Sequence, residues 1–192
     1  VFTMKEIDKF LSLYQEFESQ KGNLSILSKS LTLSTMPQAT IADLLHNLSI
    51  DDIAEKQSVS DLSKNRVDAF NTNIQENKQC EWLTLPDIES LKEKSFSYTG
   101  PLDWFVGIKP IFTPIHYINH VAYVLHLMHI YKNYHVHLTP LSIPDDIFIA
   151  LKQDVGVIIC KVDNAPIFMA LNHLTMINAF DKFIEEFSDN DC

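Results

Sequence analysis

The chain contains two apolar stretches that decide its fold class, Asp-Val-Gly-Val-Ile-Ile-Cys-Lys-Val at residues 154–162 and Ala-Pro-Ile-Phe-Met-Ala-Leu at residues 165–171. β-Branched and aromatic residues dominate both, and Asp163-Asn164 between them is typical of a turn. The sequence therefore predicts a buried β-hairpin. A helix capped by Asn172 is expected to follow and to run to about Phe187, because apolar residues recur there at helical spacing.

The N-terminal part of the chain is predicted to be helical. Apolar residues at helical spacing predict an amphipathic helix from Met4 to Gln20. Pro37 fits the first turn of a second helix that continues through Leu48. Residues 24–35, which are rich in Ser, Thr and Leu, are consistent with a short helix or a loop. The polar stretch 71–79 has the composition of a linker or a helix end, which makes it the best candidate for a domain boundary.

The rest of the chain is predicted to mix strands and helices. Residues 134–139 have an extended pattern, and residues 144–153 are predicted to form a short helix that Pro-Asp-Asp opens. Together with the hairpin and the last helix, these elements predict an α+β fold. We expect a helical region at residues 1–79 and a mixed α+β region at residues 80–192.

Two parts of the mixed region resemble each other. Pro-Ile-Phe occurs at residues 110–112 and again at 166–168, and the apolar positions that follow coincide. A duplication would pair residues 84–130 with residues 138–184. The alternative is a chance recurrence of short apolar patterns in a helix-rich chain.

Residues 138–184 resemble a CBS module in their predicted order of extended segment, short helix, strand, turn, strand and helix. The matching positions are Thr139-Pro140, Ile143-Pro144-Asp145, Ala150-Leu151 and Val162-Asp163. The resemblance implies a pair of modules that binds an adenine nucleotide or a related ligand and regulates a partner. Where that family has Ser or Thr and then a ribose-binding Asp, this chain has neutral or imidazole side chains, which implies a changed site. The ligand-binding positions implied are His116, Asn119, Asn172 and Thr175.

Residues 48–70 are similar to the helix-turn-helix of bacterial transcription regulators. Ile53-Ala54, Val59-Ser60 and Val67 stand at the expected positions. The resemblance implies DNA reading, and the alternative is a pair of ordinary helices joined by a Ser-rich turn. The flanking residues are acidic, which opposes contact with phosphate groups.

Composition and charge exclude several classes of function. The formal net charge of -10 repels phosphate backbones and anionic membrane surfaces, so neither nucleic acid nor a membrane is expected as a partner. The sequence has only 4 glycines and no motif of a phosphate-binding loop, which needs Gly where the backbone approaches a ligand. No cofactor is predicted. Cys80, Cys160 and Cys192 lie far apart, which is typical of reduced thiols in a cytoplasmic protein.

Histidines are concentrated in one stretch of the chain, with six of the 8 between His116 and His137. His116 and His120 are one helical turn apart, a spacing that lets two imidazoles reach one metal ion. The interpretation we favour is a polar stripe on an amphipathic helix, which is either solvated or part of an interface. The polar face would comprise His116, Asn119, His120, Tyr123 and His126, and the apolar face Ile118, Val121, Ala122, Leu125 and Met128.

Aromatic side chains cluster where the two regions join. They pack the regions together or bind a partner, because Trp and Tyr often carry interface energy. The residues are Trp82, Tyr98, Trp104 and Phe105. The sequence predicts a soluble, non-catalytic protein that acts as a regulatory, adaptor or inhibitor-type subunit. Its expected partner is another protein, with a homo-oligomer as an open possibility, and the alternatives are a CBS-like nucleotide sensor and a transcription regulator.

Overall fold

The computed structural model describes residues 4–29, 31–47, 53–84, 112–139, 143, 147–161 and 167–188 of the 192-residue chain. Helices and one sheet account for most of this part. The helices are α1 (Met4–Ser19), α2 (Gln38–Asn47), α3 (Ile53–Glu76), α4 (Pro114–Ile130) and α5 (Leu174–Ser188). The strands are β1 (Leu24–Ser28), β2 (Gln79–Leu83), β3 (Tyr134–Leu138), β4 (Ile147–Lys152), β5 (Gly156–Lys161) and β6 (Ile167–Leu171). The predicted α+β class is confirmed.

The six strands form a single mixed sheet in the order β3-β2-β1-β4-β5-β6. β1 pairs in parallel with β2, and β2 in parallel with β3. The pairs β1–β4, β4–β5 and β5–β6 are antiparallel. β1 comes from the predicted N-terminal region and lies between β2 and β4, so the two predicted regions share one sheet.

Side chains alternate between the two faces of the sheet, and each face has its own helical cover. On the four-helix face, the sheet packs against α1, α2, α3 and α4. Its apolar side chains include Ile26, Leu83, Tyr134, Phe148 and Ile158. On the α5 face, the sheet packs against α5 alone among the described helices, and its buried side chains include Leu27, Trp82, Leu151 and Val157.

Two strands replace structures that the sequence predicted differently. Residues 144–153, predicted as a short helix, contain β4, and residues 24–35, predicted as a short helix or loop, contain β1. Both strands lie in the interior of the sheet, where β1 and β4 pair with each other. A strand that is buried on both faces lacks the alternation of apolar and polar residues by which a half-buried strand is recognised. That is the physical reason for both errors.

Other predicted elements are confirmed within small shifts. α1 and α2 match the two predicted N-terminal helices, and β5 and β6 form the predicted hairpin. The turn at 163–164 lies outside the described residues. β5 is largely buried, whereas β6 is an edge strand with mostly exposed side chains. α5 begins at Leu174, and its first carbonyl acceptor is His173, so His173 rather than Asn172 holds the cap position.

α3 is one uninterrupted helix from Ile53 to Glu76. It therefore covers most of the segment compared with a helix-turn-helix and most of the polar stretch predicted as a linker. Within the described parts of the chain, every helix is too short or too polar to cross a membrane.

Candidate functional site

α4 exposes apolar side chains and buries two of its histidines. Ile115, Ile118 and Leu125 are 57%, 56% and 59% exposed, whereas His116 and His120 are 6% and 2% exposed. The predicted solvated stripe is therefore wrong for these two histidines. The prediction failed because hydrophobic character is high on all sides of this helix, and because polar partners from distant parts of the chain receive the imidazoles.

His116 connects the start of α4 to α2. The backbone N–H of Thr113 donates to its Nδ1 at 3.2 Å. Nδ1 is thus the acceptor, which assigns the ring proton to Nε2 in the neutral imidazole. Nε2 lies 2.6 Å from Oδ2 of Asp43 and donates to it. The contact fixes the position of α4 relative to α2.

His120 connects the next turn of α4 to the short 3-10 helix that follows β1. The Thr35 hydroxyl donates to the carbonyl of Thr32 at 3.0 Å. Its oxygen is therefore free to accept from Nε2 of His120, also at 3.0 Å. Burial lowers the pKa of His120 to about 3, so the imidazole is neutral at physiological pH.

The 3-10 helix Leu33–Thr35 and the preceding Thr32 form a hydroxyl turn at the carboxyl end of β1. Three of its side chains are buried, and each meets a different ionisable group. Thr32 donates to Glu81 at 3.5 Å, Ser34 donates to Glu18 at 3.0 Å, and Thr35 accepts from His120. Carboxyl ends of parallel strands are the usual place for functional groups in open sheets with helical crossovers.

Glu81 lies beneath the hydroxyl turn, on β2, and is 1% exposed. The Tyr134 hydroxyl donates to its Oε1 at 3.1 Å, and Nε2 of Gln79 donates to the same atom at 3.4 Å. Its Oε2 has no hydrogen bond within the described residues. Burial raises the pKa of Glu81 to about 7, because a carboxylate loses its hydration there.

Glu18 and Arg66 form a buried ion pair at the other side of the turn. Nε of Arg66 donates to Oε2 of Glu18 at 2.8 Å, and Nη2 donates to Oε1 at 2.9 Å. The guanidinium also lies 4.6 Å from the ring centre of Tyr14. Since Arg66 is 2% exposed, the pair joins α1 to α3 inside the protein and is closed to a substrate.

We call Glu18, Thr32, Ser34, Thr35, Arg66, Glu81 and His120 the buried polar cluster. His120 attaches α4 to this cluster, and the outer face of α4 is the candidate functional surface. We name that face the α4 stripe. It comprises Ile115, Ile118, Ala122 and Leu125, which lie along one side of the helix. The sequence of α4 contains no Asp, Glu, Lys or Arg. The stripe is therefore an uncharged, apolar surface on a strongly acidic protein.

The predicted aromatic cluster is only partly within the described residues. Trp82 is 5% exposed and belongs to the core on the α5 face, where its ring stacks on His137 at 5.3 Å. Tyr98, Trp104 and Phe105 lie outside the described residues. Trp82 therefore serves packing within this chain.

The positions implied by the CBS resemblance do not meet at one place. His116 and Asn119 lie on α4, with His116 buried and Asn119 exposed. Asn172 and Thr175 are exposed at the start of α5, on the opposite face of the sheet. The resemblance itself stays a prediction.

The predicted pair of metal-ligating histidines has other partners. His116 contacts Asp43 and His120 contacts Thr35 through their ring nitrogens. Within the described parts of the chain, no three His, Cys, Asp or Glu side chains are grouped so that they could hold a metal ion.

Several residues of the buried polar cluster were not predicted from the sequence. Glu18, Arg66 and Glu81 come from three elements. Arg66 is 48 positions from Glu18, and Glu81 is 49 positions from Thr32. The sequence did contain one indication of this cluster. Glu81 is the one charged residue in the strand sequence Gln-Cys-Glu-Trp-Leu. An acid at that place predicts a buried partner, but it does not identify one.

Comparison of the chain with models of protein families gives no match. Comparison with curated proteins and with solved structures gives no match either. The contacts and exposures described above therefore carry the functional inference.

Proposed function

We propose that the protein is an intracellular, non-catalytic subunit that binds another protein through the α4 stripe, in a regulatory, adaptor or inhibitor role. The observation that carries this proposal is the row of exposed apolar residues on α4. Single exposed apolar side chains are common on protein surfaces, but a row of them along one helix is typical of an interaction site.

The energetics of the stripe favour a partner. Ile115, Ile118 and Leu125 each leave more than half of their surface in water. Covering apolar surface contributes roughly 25 cal/mol for each Å² removed from water. Residues spaced in this way can anchor an amphipathic helix or insert into an apolar groove of the partner.

The packing of α4 beneath the stripe supports the same function. Tyr117, Val124 and Leu127 bury the inner face of α4, and His116 and His120 fix its first two turns. A surface that is already ordered loses little conformational freedom on binding, which favours affinity. Around the stripe, the exposed side chains of Asn119, His126 and His129 provide a polar rim.

The experiment uses a stripe variant and a matched control. Ile118→Lys/Leu125→Lys places two charges on the stripe, whereas Leu13→Lys changes a 46% exposed leucine on α1. Each purified protein is used to enrich binders from extracts of its source cells, and enriched proteins are then purified and titrated against each variant. Thermal unfolding verifies that the variants are folded.

The proposal predicts a binder that is retained by the wild type and by Leu13→Lys. The stripe variant should bind it at least about tenfold more weakly, because charges then replace two anchors. A purified binder that has equal affinity for all three proteins would contradict the role of the stripe.

A further inference from the structure

Within the described residues, the carboxyl group of Glu81 receives hydrogen bonds on one oxygen only. Three donors share its Oε1, namely the Tyr134 hydroxyl at 3.1 Å, Nε2 of Gln79 at 3.4 Å and the Thr32 hydroxyl at 3.5 Å. Its Oε2 is buried and receives none of the bonds that this part of the chain forms. An ionised carboxylate accepts on both oxygens, whereas a carboxylic acid carries a proton on one of them. The one-sided distribution is that of an acid whose proton is on Oε2.

A matching acceptor lies beside Glu81 on the same strand. Gln79 and Glu81 are two positions apart on β2, so their side chains lie on the same face of the sheet. Gln79 is 0% exposed, and its Oε1 has no hydrogen bond from any described residue. Buried polar atoms are rarely left without a partner, because burial removes their hydrogen bonds to water. The two unpaired oxygens therefore indicate a hydrogen that lies between them.

We infer that Glu81 is a carboxylic acid in the folded protein, with the proton on its Oε2 donated to Oε1 of Gln79. In the opposite direction, Nε2 of Gln79 already donates to Oε1 of Glu81. The two bonds close a ring in which the acid and the amide each give one hydrogen and accept one. A single proton thus provides partners for both oxygens that otherwise have none.

The surroundings of Glu81 favour the neutral acid. Burial removes the water that stabilises a carboxylate and raises the pKa of Glu81 to about 7. Among the ion pairs of the described residues, none contains Glu81. The cation of the buried polar cluster, Arg66, is paired with Glu18. A carboxylate at this position would therefore be a buried charge without an ion-pair partner, which is costly.

The ionisable neighbours of Glu81 do not supply a charge either. They come from four elements, and burial shifts the pKa of each towards its neutral form. They are Tyr14 of α1, Cys80 of β2, Tyr134 of β3 and, across the hydroxyl turn, His120 of α4.

The acid–amide pair is a pH-sensitive switch beneath the support of α4. Thr32 donates to Glu81 through its hydroxyl, and its carbonyl accepts from Thr35, whose oxygen accepts from His120. When the pH rises through the pKa of Glu81, the acid loses its proton and Oε1 of Gln79 loses its donor. A buried charge then lies beneath the hydroxyl turn, and the stability that the pair contributes is lost. This inference concerns the interior of the protein and does not rest on the proposed binding through the α4 stripe.

The test is infrared spectroscopy of the full chain on either side of the Glu81 pKa of about 7. A protonated carboxyl group has a carbonyl band that is separate from the bands of carboxylates. Exposed carboxyl groups have pKa values of about 4 and are ionised on both sides. The wild type should show the band of a buried acid on the low side and lose it on the high side. Glu81→Gln should lack this band, whereas Glu76→Gln, which changes an exposed glutamate, should keep it.

Gln79→Met tests the acceptor. The variant keeps a side chain of similar length without the amide, so the band of the acid should move to a higher frequency as its hydrogen bonds are lost. Circular dichroism verifies folding. If Gln79→Met is unfolded, nuclear magnetic resonance of the wild type with labelled glutamine replaces it, and the Gln79 amide should shift with the same midpoint as the infrared band.

Three results would overturn the inference. The first is a wild type without the acid band, and the second is a band that Glu81→Gln retains. The third is a band whose frequency is unchanged in folded Gln79→Met, or a Gln79 amide that does not respond to the titration.

Discussion

Among the individual residues, Arg66 carries a charge that is buried and paired. It is 2% exposed, and its Nε and Nη2 groups both donate to the carboxylate of Glu18. Removing one partner of a buried pair typically costs about 3–5 kcal/mol, because the remaining charge is left without compensation. We therefore expect Glu18→Gln to lower the free energy of unfolding by roughly this amount. Urea denaturation measures the change.

Further variants distinguish the loss of a buried ion pair from the loss of a charge at the surface. Glu18→Gln/Arg66→Met should be destabilised by less than the sum of its single variants, because the double variant leaves neither charge of this pair without its partner. Glu76→Gln removes a partner from the exposed pair of Lys21 and Glu76, whose side chains are 63% and 62% exposed. It should cost less than about 1 kcal/mol. Equal losses in both pairs would contradict the buried role of Arg66.

Among the elements, α1 depends on a lysine from β4 at its C-terminal end. Nζ of Lys152 donates to the carbonyls of Phe17 at 2.8 Å, Glu18 at 3.0 Å and Gln20 at 2.5 Å. The carbonyls in the last turn of a helix have no partner within it, and the ammonium group supplies three donors to Phe17, Glu18 and the following Gln20. Burial lowers the pKa of Lys152 to about 8, because the charged form is desolvated.

Lys152→Met is therefore expected to loosen the end of α1. Each buried group left without a hydrogen bond costs about 1–3 kcal/mol, so the total loss should be at least about 2 kcal/mol. Hydrogen exchange should become faster in the last turn of α1 than in β5. Lys161→Met, at an exposed position of the next strand, is the matched control and should leave that exchange unchanged.

The start of β5 lies against the end of β6, and this contact depends on the absence of a side chain at Gly156. A Cβ atom at this position would lie 2.8 Å from the carbonyl oxygen of Leu171, which is a backbone atom and cannot rotate away. Gly156→Ala should therefore displace the end of β6 and cost about 1–3 kcal/mol. Hydrogen exchange would show faster exchange in β6 than in β1. Unchanged protection of β6 would mean that the strands accommodate the methyl group.

The elements also show what the sequence could predict. Periodicity identified α1 and α5, because each has an apolar side towards the core, and Pro37 in the first turn identified α2. It failed for β4, whose apolar run satisfies a buried strand and a helix equally. For α4 the helix was predicted but its orientation was wrong, since the positions of Thr35 and Asp43 decide which face is buried. Such long-range partners are not visible in a local pattern.

For the whole molecule, the buried polar cluster gives two opposed responses to pH. The pKa of Glu81 rises from 4.5 to about 7 on folding, so between these values the folded chain holds more protons and stability falls as pH rises. The pKa of His120 falls from 6.5 to about 3, so between these values the unfolded chain holds more protons and stability rises with pH. The windows overlap from pH 4.5 to 6.5.

We therefore expect the contributions of these two groups to cancel in the overlap, and single variants to reveal them. Glu81→Gln leaves His120 alone, so its stability should rise from pH 4.5 to 6.5 relative to the wild type. His120→Asn should show the reverse slope, with a fall that approaches roughly 3 kcal/mol by the upper end of the Glu81 window. Urea denaturation at several pH values measures both. His129→Asn, which changes an exposed histidine of the same helix, is the control variant. Parallel profiles for all four proteins would show that neither buried group changes its protonation on unfolding.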